Sequence, residues 1–414
     1  VLSVVIARWL GPERQGLYSL CMAASLVVAL LVNCGLGLSS VYFLGKKTFS
    51  PGEIASASLG FALAVGSLGF VAGTLAVTFF NIPGLAAAPR AALFLAFLSI
   101  PFYNLCDYYF YFLIGSDRIK QFNILSAARN TLQLVLAVSL IVLGGLRLNG
   151  AILSWVGSFV GTALMAHLLI SRFAAVRPSF NSRVMKASVL FGIKGYLSRI
   201  ASFLYYRIDM FILSYFMGAA AVGQYAIAVL LAELLWNIPS SLAPAVMLKS
   251  ASEESQARDV LTAAACRHAL LVCVLAAACI ALLGRPLVKL VFGEQYLMSV
   301  TPLIVLLPGT AFLSIGGVLA NDFVGRGKQL MNSFAAILTL VLNVPLNFLL
   351  IPVWGISGAS AASTFSYTVG SVVMVIEFLR ITRMKPSEVL LPRASDLNAY
   401  VRLVRGFFGK EAGP

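Results

Sequence analysis

Six ionisable residues lie inside stretches too apolar to leave them in water: Asp107, Arg129, Arg199, Arg207, Asp209 and Glu233. An arginine so placed keeps its proton and can hold a phosphate-like anion through two parallel hydrogen bonds. A carboxylate so placed can carry a coupling ion or neutralise a basic neighbour. At 1.5 Å per helical residue, Arg207 and Asp209 lie about 13–17 Å before the Gly218 turn, and Glu233 about 15 Å past Gly223. On the same count Asp107 and Arg129 lie ~12–14 Å from the opposite edge. Arg207, Asp209, Arg199 and Arg129 are therefore candidate substrate-binding residues, and Glu233, Asp209 and Asp107 candidate ion-coupling residues.

Polar residues accompany these charges at helical spacing. Arg199, Ser202, Tyr206 and Asp209 fall at i, i+3, i+7 and i+10, one face of a helix. Asn123, Ser126, Asn130 and Gln133 repeat that spacing, and Asn343 and Asn347 share a face. Such stripes suit a hydrated cleft that binds sugars; hydrogen bonding between packed helices is the alternative. Asp107 and Arg129 reach similar depth on consecutive helices and are expected to pair. Arg207 is expected to bind an anion or to pair with Glu233. Lys194, Arg199 and Arg267 are shallower and are expected to snorkel to the interface. The tyrosines at 103, 108, 109 and 111 are expected as interfacial anchors, with sugar stacking the other reading.

The elements that hold these residues must be membrane helices. The chain has 414 residues, 60% hydrophobic and 11% charged, with a mean hydropathy of +0.94. Apolar runs near 20 residues recur throughout, long enough to cross a hydrocarbon core of roughly 30 Å. No strand-like alternation stands out, so a β-barrel is not expected. The predicted spans are a stub at 1–10, then 17–44, 56–80, 90–114, 122–144, 149–171, 190–217, 222–248, 262–284, 299–323, 330–352 and 356–379. The six cysteines lie within these spans and read as small packing residues. His167 and His268 lack partners at ligand spacing, so neither a metal site nor a cofactor is expected. No nucleotide-binding, nucleophile-elbow or zinc-protease motif occurs, and an enzyme is not expected.

The net charge of +15 follows topology. With the chain start placed in the cytoplasm, the cytoplasmic loops and tail hold 19 Lys and Arg, and the opposite loops hold 6. Positive-inside bias thus predicts cytoplasmic termini, with the loops at 46–53, 172–187 and 249–260 on that side. Position 180 is then out of reach of a periplasmic label. Nucleic acid is not an expected partner. The stretch 395–409 sets Leu397, Tyr400, Val401, Val404, Phe407 and Phe408 at helical spacing, so the basic tail 381–414 reads as a helix on the cytoplasmic leaflet or as disordered.

One turn is written twice. Gly11, Gly16 and Tyr18 recur 207 positions later as Gly218, Gly223 and Tyr225. Arg118, Lys120 and Gln121 recur 208 later as Arg326, Lys328 and Gln329, and Gly150 and Ala151 as Gly358 and Ala359. Six crossings per repeat return the chain to its starting side. The halves are therefore expected to share one orientation, related by a pseudo-two-fold axis along the membrane normal. The glycines permit a tight bend, and the tyrosines are expected at interfacial depth. The offset also predicts that the first helix is incomplete by roughly 15–20 residues. The expected units are a six-helix lobe at 1–172, a cytoplasmic linker at 173–189, a six-helix lobe at 190–380 and the tail 381–414.

"IARWLGPERQGLYSL" at 6–20 and "YRIDMFILSYFMGAAAVGQYAIA" at 206–228 resemble the first-to-second and seventh-to-eighth helix junctions of bacterial polysaccharide flippases. "VFGEQYLMSVTPLIVLLPG" at 291–309 resembles their ninth-to-tenth junction, and "GKQLMNSFAAILTLVLNVPLNFLLIPVWGISGASAAS" at 327–363 is similar to their eleventh and twelfth helices. The resemblance covers essentially the whole chain. It implies the polysaccharide-transporter branch of the multidrug/oligosaccharidyl-lipid/polysaccharide exporter superfamily, of O-antigen or exopolysaccharide type. It further implies a MATE-like all-α fold in the inner membrane. It also implies alternating-access translocation of an undecaprenyl-pyrophosphate-linked oligosaccharide, coupled to a proton or sodium gradient. Membrane lipids, a polysaccharide polymerase and chain-length machinery are the implied partners, and a monomer is expected. A drug/cation antiporter and a non-transporting scaffold of envelope assembly are the competing readings. Deep arginines beside the deep acids favour an anionic substrate over a cationic one.

Overall fold

In a computed structural model, residues 1–177, 181–237, 239–240, 246 and 255–393 are described, and all regular structure among them is helical. The helices are α1 (Leu2–Asn33), α2 (Leu36–Gly45), α3 (Pro51–Phe79), α4 (Arg90–Phe97), α5 (Ile100–Gly115), α6 (Ile119–Ala137) and α7 (Arg147–Ile170) in the first half. The second half holds α8 (Ser182–Glu233), α9 (Ser255–Val291), α10 (Val300–Gly325), α11 (Leu330–Trp354), α12 (Ile356–Thr382) and the short α13 (Pro386–Leu390). Start signals are local. Ser50 caps α3 and Glu53 returns the hydrogen bond to the Ser50 amide, with Pro51 in the first turn.

Ten stretches among the described residues are long and apolar enough to span a membrane. Two contain a break. Gly11 (φ 72°) and Gly218 (φ 75°) adopt a left-handed conformation inside α1 and α8, ending one helix and starting the next. Only glycine takes that conformation without steric cost. Divided at both breaks, they make twelve helical segments among the described residues, the predicted count with its short stub at the chain start included. α8 begins at Ser182, eight residues before the expected start at 190.

The breaks place the two halves in reciprocal contact. A Cβ built on Gly16 would lie 1.8 Å from the Ala219 carbonyl oxygen, and one on Gly223 would lie 1.8 Å from the Pro12 carbonyl oxygen. Adding the 207-residue offset to Pro12 and Gly16 gives Ala219 and Gly223. Exchanging the halves therefore turns each contact into the other, which is what a two-fold axis through the crossing requires. Gly150 and Gly358 also play matching parts, each facing a carbonyl oxygen of the preceding helix, Leu140 and Leu350. The register is not uniform. The left-handed residue after α5 is Asp117 and the one after α10 is Gly327, an offset of 210 where residue matching gives 208. Loops absorb such insertions without disturbing the packed helices.

One core is shared by both halves near the crossing, joining Leu20, Met22 and Phe97 to Leu213, Tyr225 and Tyr296. Each half also has its own core, around Tyr108, Phe112 and Phe159 in the first and Phe323 and Phe378 in the second. The anchoring role expected for Tyr108 and Tyr109 is corrected. Tyr108, Tyr109 and Tyr225 are fully buried. Their hydroxyls find partners inside the protein, Tyr108 donating to the Asn33 carbonyl at 2.8 Å and Tyr109 meeting His167 Nδ1 at 3.0 Å. Arg267 does not snorkel; it is buried and donates to the Glu388 carbonyl. Outside the spans, the Lys385 backbone amide and the Arg393 guanidinium hold Glu388 below the usual carboxylate range. Position 180, the tail helix expected at 395–409 and the first residues of the 249–260 loop lie outside the described residues.

Gly16→Ala or Gly223→Ala is expected to destabilise the detergent-solubilised protein by about 3 kcal/mol, the upper end of the usual overpacking range. Gly45→Ala, where a Cβ meets nothing within 4 Å, is expected to change the melting temperature little. Equal melting of all three variants contradicts the crossing.

Candidate functional site

The deep charges are held by breaks and crossings of the helices. α1 ends at Asn33, where Cys34 (φ 55°) and Gly35 (φ 71°) are both left-handed before α2 begins. The bend lets α8 approach so closely that a Cβ on Gly192 would lie 2.5 Å from the Gly35 carbonyl oxygen. Beside this contact, Arg199 of α8 pairs with Asp107 of α5 at 2.9 Å. Asn33 Nδ2 also donates to Asp107, at 3.2 Å, and to Asn104 Oδ1, at 2.9 Å. Tyr42 stacks on Phe191 at 4.3 Å between centroids on the same flank. The charge pair thus joins the two lobes.

The pair expected between Asp107 and Arg129 is not formed. Arg129 instead donates to Asn130 Oδ1 at 3.3 Å and lies 5.4 Å over the Phe159 ring. The helix rotations turn the two residues to different neighbours. Asn123 and Asn130 face outward, while Gln133 is buried and donates to the Tyr18 hydroxyl at 3.4 Å. The stripe on α6 is therefore partly a packing contact.

The stripe on α8 splits three ways. Arg199 turns to the first lobe. Ser202 and Tyr206 line a cavity within the second lobe. Asp209 is buried, accepting from the Tyr225 hydroxyl at 2.5 Å, the Ser363 hydroxyl at 3.2 Å and the Met210 amide at 2.8 Å. Ser363 also accepts from Asn343 at 3.2 Å, and Asn347 donates to Asn343 Oδ1 at 3.0 Å. Asn343 and Asn347 thus extend a buried polar chain across α11, α12 and α8. The donors to Asp209 are all neutral. Arg207 pairs with Glu233 at 2.9 Å, and each side chain stays about a quarter exposed, at 26% and 23%. Among the described residues no cluster of three or more His, Cys, Asp or Glu could hold a metal.

Two cavities are large enough for ligands. One, of about 600 Å³, lies inside the second lobe and is walled by Tyr205, Tyr206, Trp236, Asn332, Tyr367 and Ser371 among others. The other, of about 580 Å³, lies between the lobes and is almost wholly apolar, from Ala24, Gly73 and Phe97 to Leu204, Phe211 and Phe348. Sequence reading missed Trp236, Asn332 and Ser371. The readable signal was the small residues Gly316, Gly317 and Ala320 in a span whose counterpart in the first half carries Tyr108, Tyr109 and Phe112.

The profile of the family described as "polysaccharide biosynthesis protein" matches residues 1–249. The chain belongs to this family. It is 25% identical over 240 residues to the probable low-salt glycan biosynthesis flippase Agl15 of Haloferax volcanii. That alignment takes in 56% of this chain and 50% of the relative, so the chain spans about half the length of the curated relative it matches. The fold is that of MOP-superfamily transporters. An inward-facing multidrug resistance MATE family transporter superposes with TM-score 0.80 at 16% identity, covering 92% of this chain and 93% of the other. The lipid II flippase MurJ in an inward closed conformation gives TM-score 0.71 at 15% identity, with 92% and 89% covered. Both the two-lobe architecture and the multi-pass membrane placement of this family member follow.

A double-mutant cycle on Asp107→Asn and Arg199→Gln, read by thermal unfolding, is expected to return a coupling of about 1–3 kcal/mol. The cycle on Asp107→Asn and Arg129→Gln is expected to return none. The reverse ranking contradicts the interlobe pair.

Proposed function

We propose that the chain is a flippase that moves a polyprenyl-pyrophosphate-linked oligosaccharide across the inner membrane by alternating access. The carrying observation is the family match, joined to an Arg207–Glu233 ion pair that stays about a quarter exposed within a span. Arg207 is neutralised by Glu233, yet both groups remain accessible. An arriving pyrophosphate can take over the guanidinium bidentately and displace Glu233 from it. Arg207 thus serves as the anion-binding residue, with Glu233 as its exchange partner. Asp209 is the second ion-coupling candidate. It is buried and held by neutral donors, the Tyr225 and Ser363 hydroxyls and the Met210 amide. Asp107, fixed by Arg199 and Asn33, serves instead as an interlobe contact that opens during the cycle. The basic-loop asymmetry supports cytoplasmic termini.

The test is translocation of a fluorescent lipid-linked oligosaccharide in proteoliposomes. Arg207→Lys is expected to slow translocation about tenfold, since a point charge replaces the planar fork, while expression and melting stay near wild type. Arg207→Gln is expected to cost about 1–3 kcal/mol of stability, which Glu233→Gln partly restores. Wild-type translocation by Arg207→Ala overturns the anion-binding assignment.

A further inference from the structure

The cavity of the second lobe is built for something the ion pairs do not explain. Four rings gather on its wall. Tyr206 lies 4.5 Å from Trp236 and 4.2 Å from Tyr205 between centroids, and Tyr367 stands edge-on to both tyrosines at 5.6 and 5.9 Å. The lining also includes the small residues Gly316, Gly317 and Gly370. No charged side chain lines it among the described residues.

Three residues of this lining each carry a buried polar atom without a hydrogen-bond partner: Trp236 Nε1, Asn332 Oδ1 and Ser371 Oγ. Ser371 is only 2% exposed. Asn332 has already satisfied its amide nitrogen on the Ala320 carbonyl at 2.9 Å, leaving the oxygen free to accept. Buried polar groups are rarely left unpaired, because each costs a lost hydrogen bond. The set offers one donor, one acceptor and one hydroxyl able to do either.

We propose that this cavity is a sugar subsite that takes one or two neutral, hydroxyl-rich rings of the translocated glycan. The proposal rests on the flippase reading and adds where the carbohydrate sits. A sugar presents C–H groups of slight positive charge on its ring faces, which suit the negative faces of Tyr206 and Trp236. Its hydroxyls donate and accept in turn, which suits Asn332, Ser371 and the indole N–H. An anion finds no cation here and goes to Arg207, one residue along α8 from Tyr206. The volume of about 600 Å³ falls in the range usual for small-ligand sites, roughly 300–1,000 Å³. At the matching positions of the first lobe, α5 carries the buried Tyr108, Tyr109 and Phe112 in place of Gly316, Gly317 and Ala320. The carbohydrate is therefore bound asymmetrically, by one lobe.

The experiment uses the whole chain in nanodiscs, with Trp9, Trp155 and Trp354 changed to Phe so that Trp236 is the one reporter. Free neutral oligosaccharides of hexose and N-acetylhexosamine are titrated, and fluorescence is read. If the triple change does not fold, the difference between wild type and Trp236→Phe reports the same signal. At least one oligosaccharide is expected to shift or quench Trp236 saturably. Asn332→Leu and Ser371→Val are each expected to weaken that response about five- to tenfold, the loss of one hydrogen bond. No saturable response to any oligosaccharide, or the same response in both variants, overturns the subsite. Translocation of lipid-linked oligosaccharide without a Trp236 response overturns the subsite alone. A variant-sensitive response in a protein that translocates nothing keeps the subsite and overturns the flippase reading.

Discussion

Two backbone crossings at one point hold the molecule together. Gly16 meets the Ala219 carbonyl and Gly223 meets the Pro12 carbonyl, with no room for a methyl group at either. Each crossing is the other's image under the 207-residue repeat, so a single steric requirement fixes the axis that relates the lobes. Lipid offers no hydrophobic drive for helices to associate, and close packing of small residues is the main substitute. Once the axis is fixed, α8 must run down the flank of the first lobe. Gly35 and Gly192 then touch near the opposite end, and Asp107 comes within reach of Arg199.

The charges follow from that placement. In a medium without water, each must find a partner. Arg199 finds one across the lobe boundary and Arg207 finds one on its own lobe, whereas Asp209 finds only neutral donors. These three solutions have different consequences for movement. A pair across the boundary must break when the lobes part. A pair within one lobe survives that motion and can exchange partners with an arriving anion. A carboxylate held by hydroxyls of its own lobe has no ion pair to break when the lobes part.

The sequence disclosed the repeat because its cause is local. A left-handed break needs glycine, and a crossing at carbonyl distance needs another five residues on, so Gly11 and Gly16 and their copies at 218 and 223 stand out. Position along a helix was equally legible, because it depends only on rise per residue. Facing was not. Asp107 and Arg129 share a depth, but whether two helices turn matching faces together depends on the rotation of each, which packing at Gly37, Phe159 and Gly192 decides. The tyrosines misled for a related reason. Tyr225 was placed by its distance from the turn, yet the crossing pulls its neighbourhood inward and its hydroxyl reaches Asp209. The sugar cavity was hidden because it is made by small residues such as Gly316 and Gly317, whose effect appears only when the opposing wall is known.

The central claim is that two lobes hinge about the glycine crossing to expose one end and then the other. Spin labels at Arg90 and Met298 report the end that carries the crossing, and labels at Lys47 and Lys328 report the opposite end; all four positions are exposed. Interlobe distances by double electron–electron resonance, taken in nanodiscs with and without lipid-linked oligosaccharide, test the claim directly. Substrate is expected to lengthen the 90–298 distance while shortening the 47–328 distance. Distances that stay fixed, or that change in the same direction at both ends, contradict it.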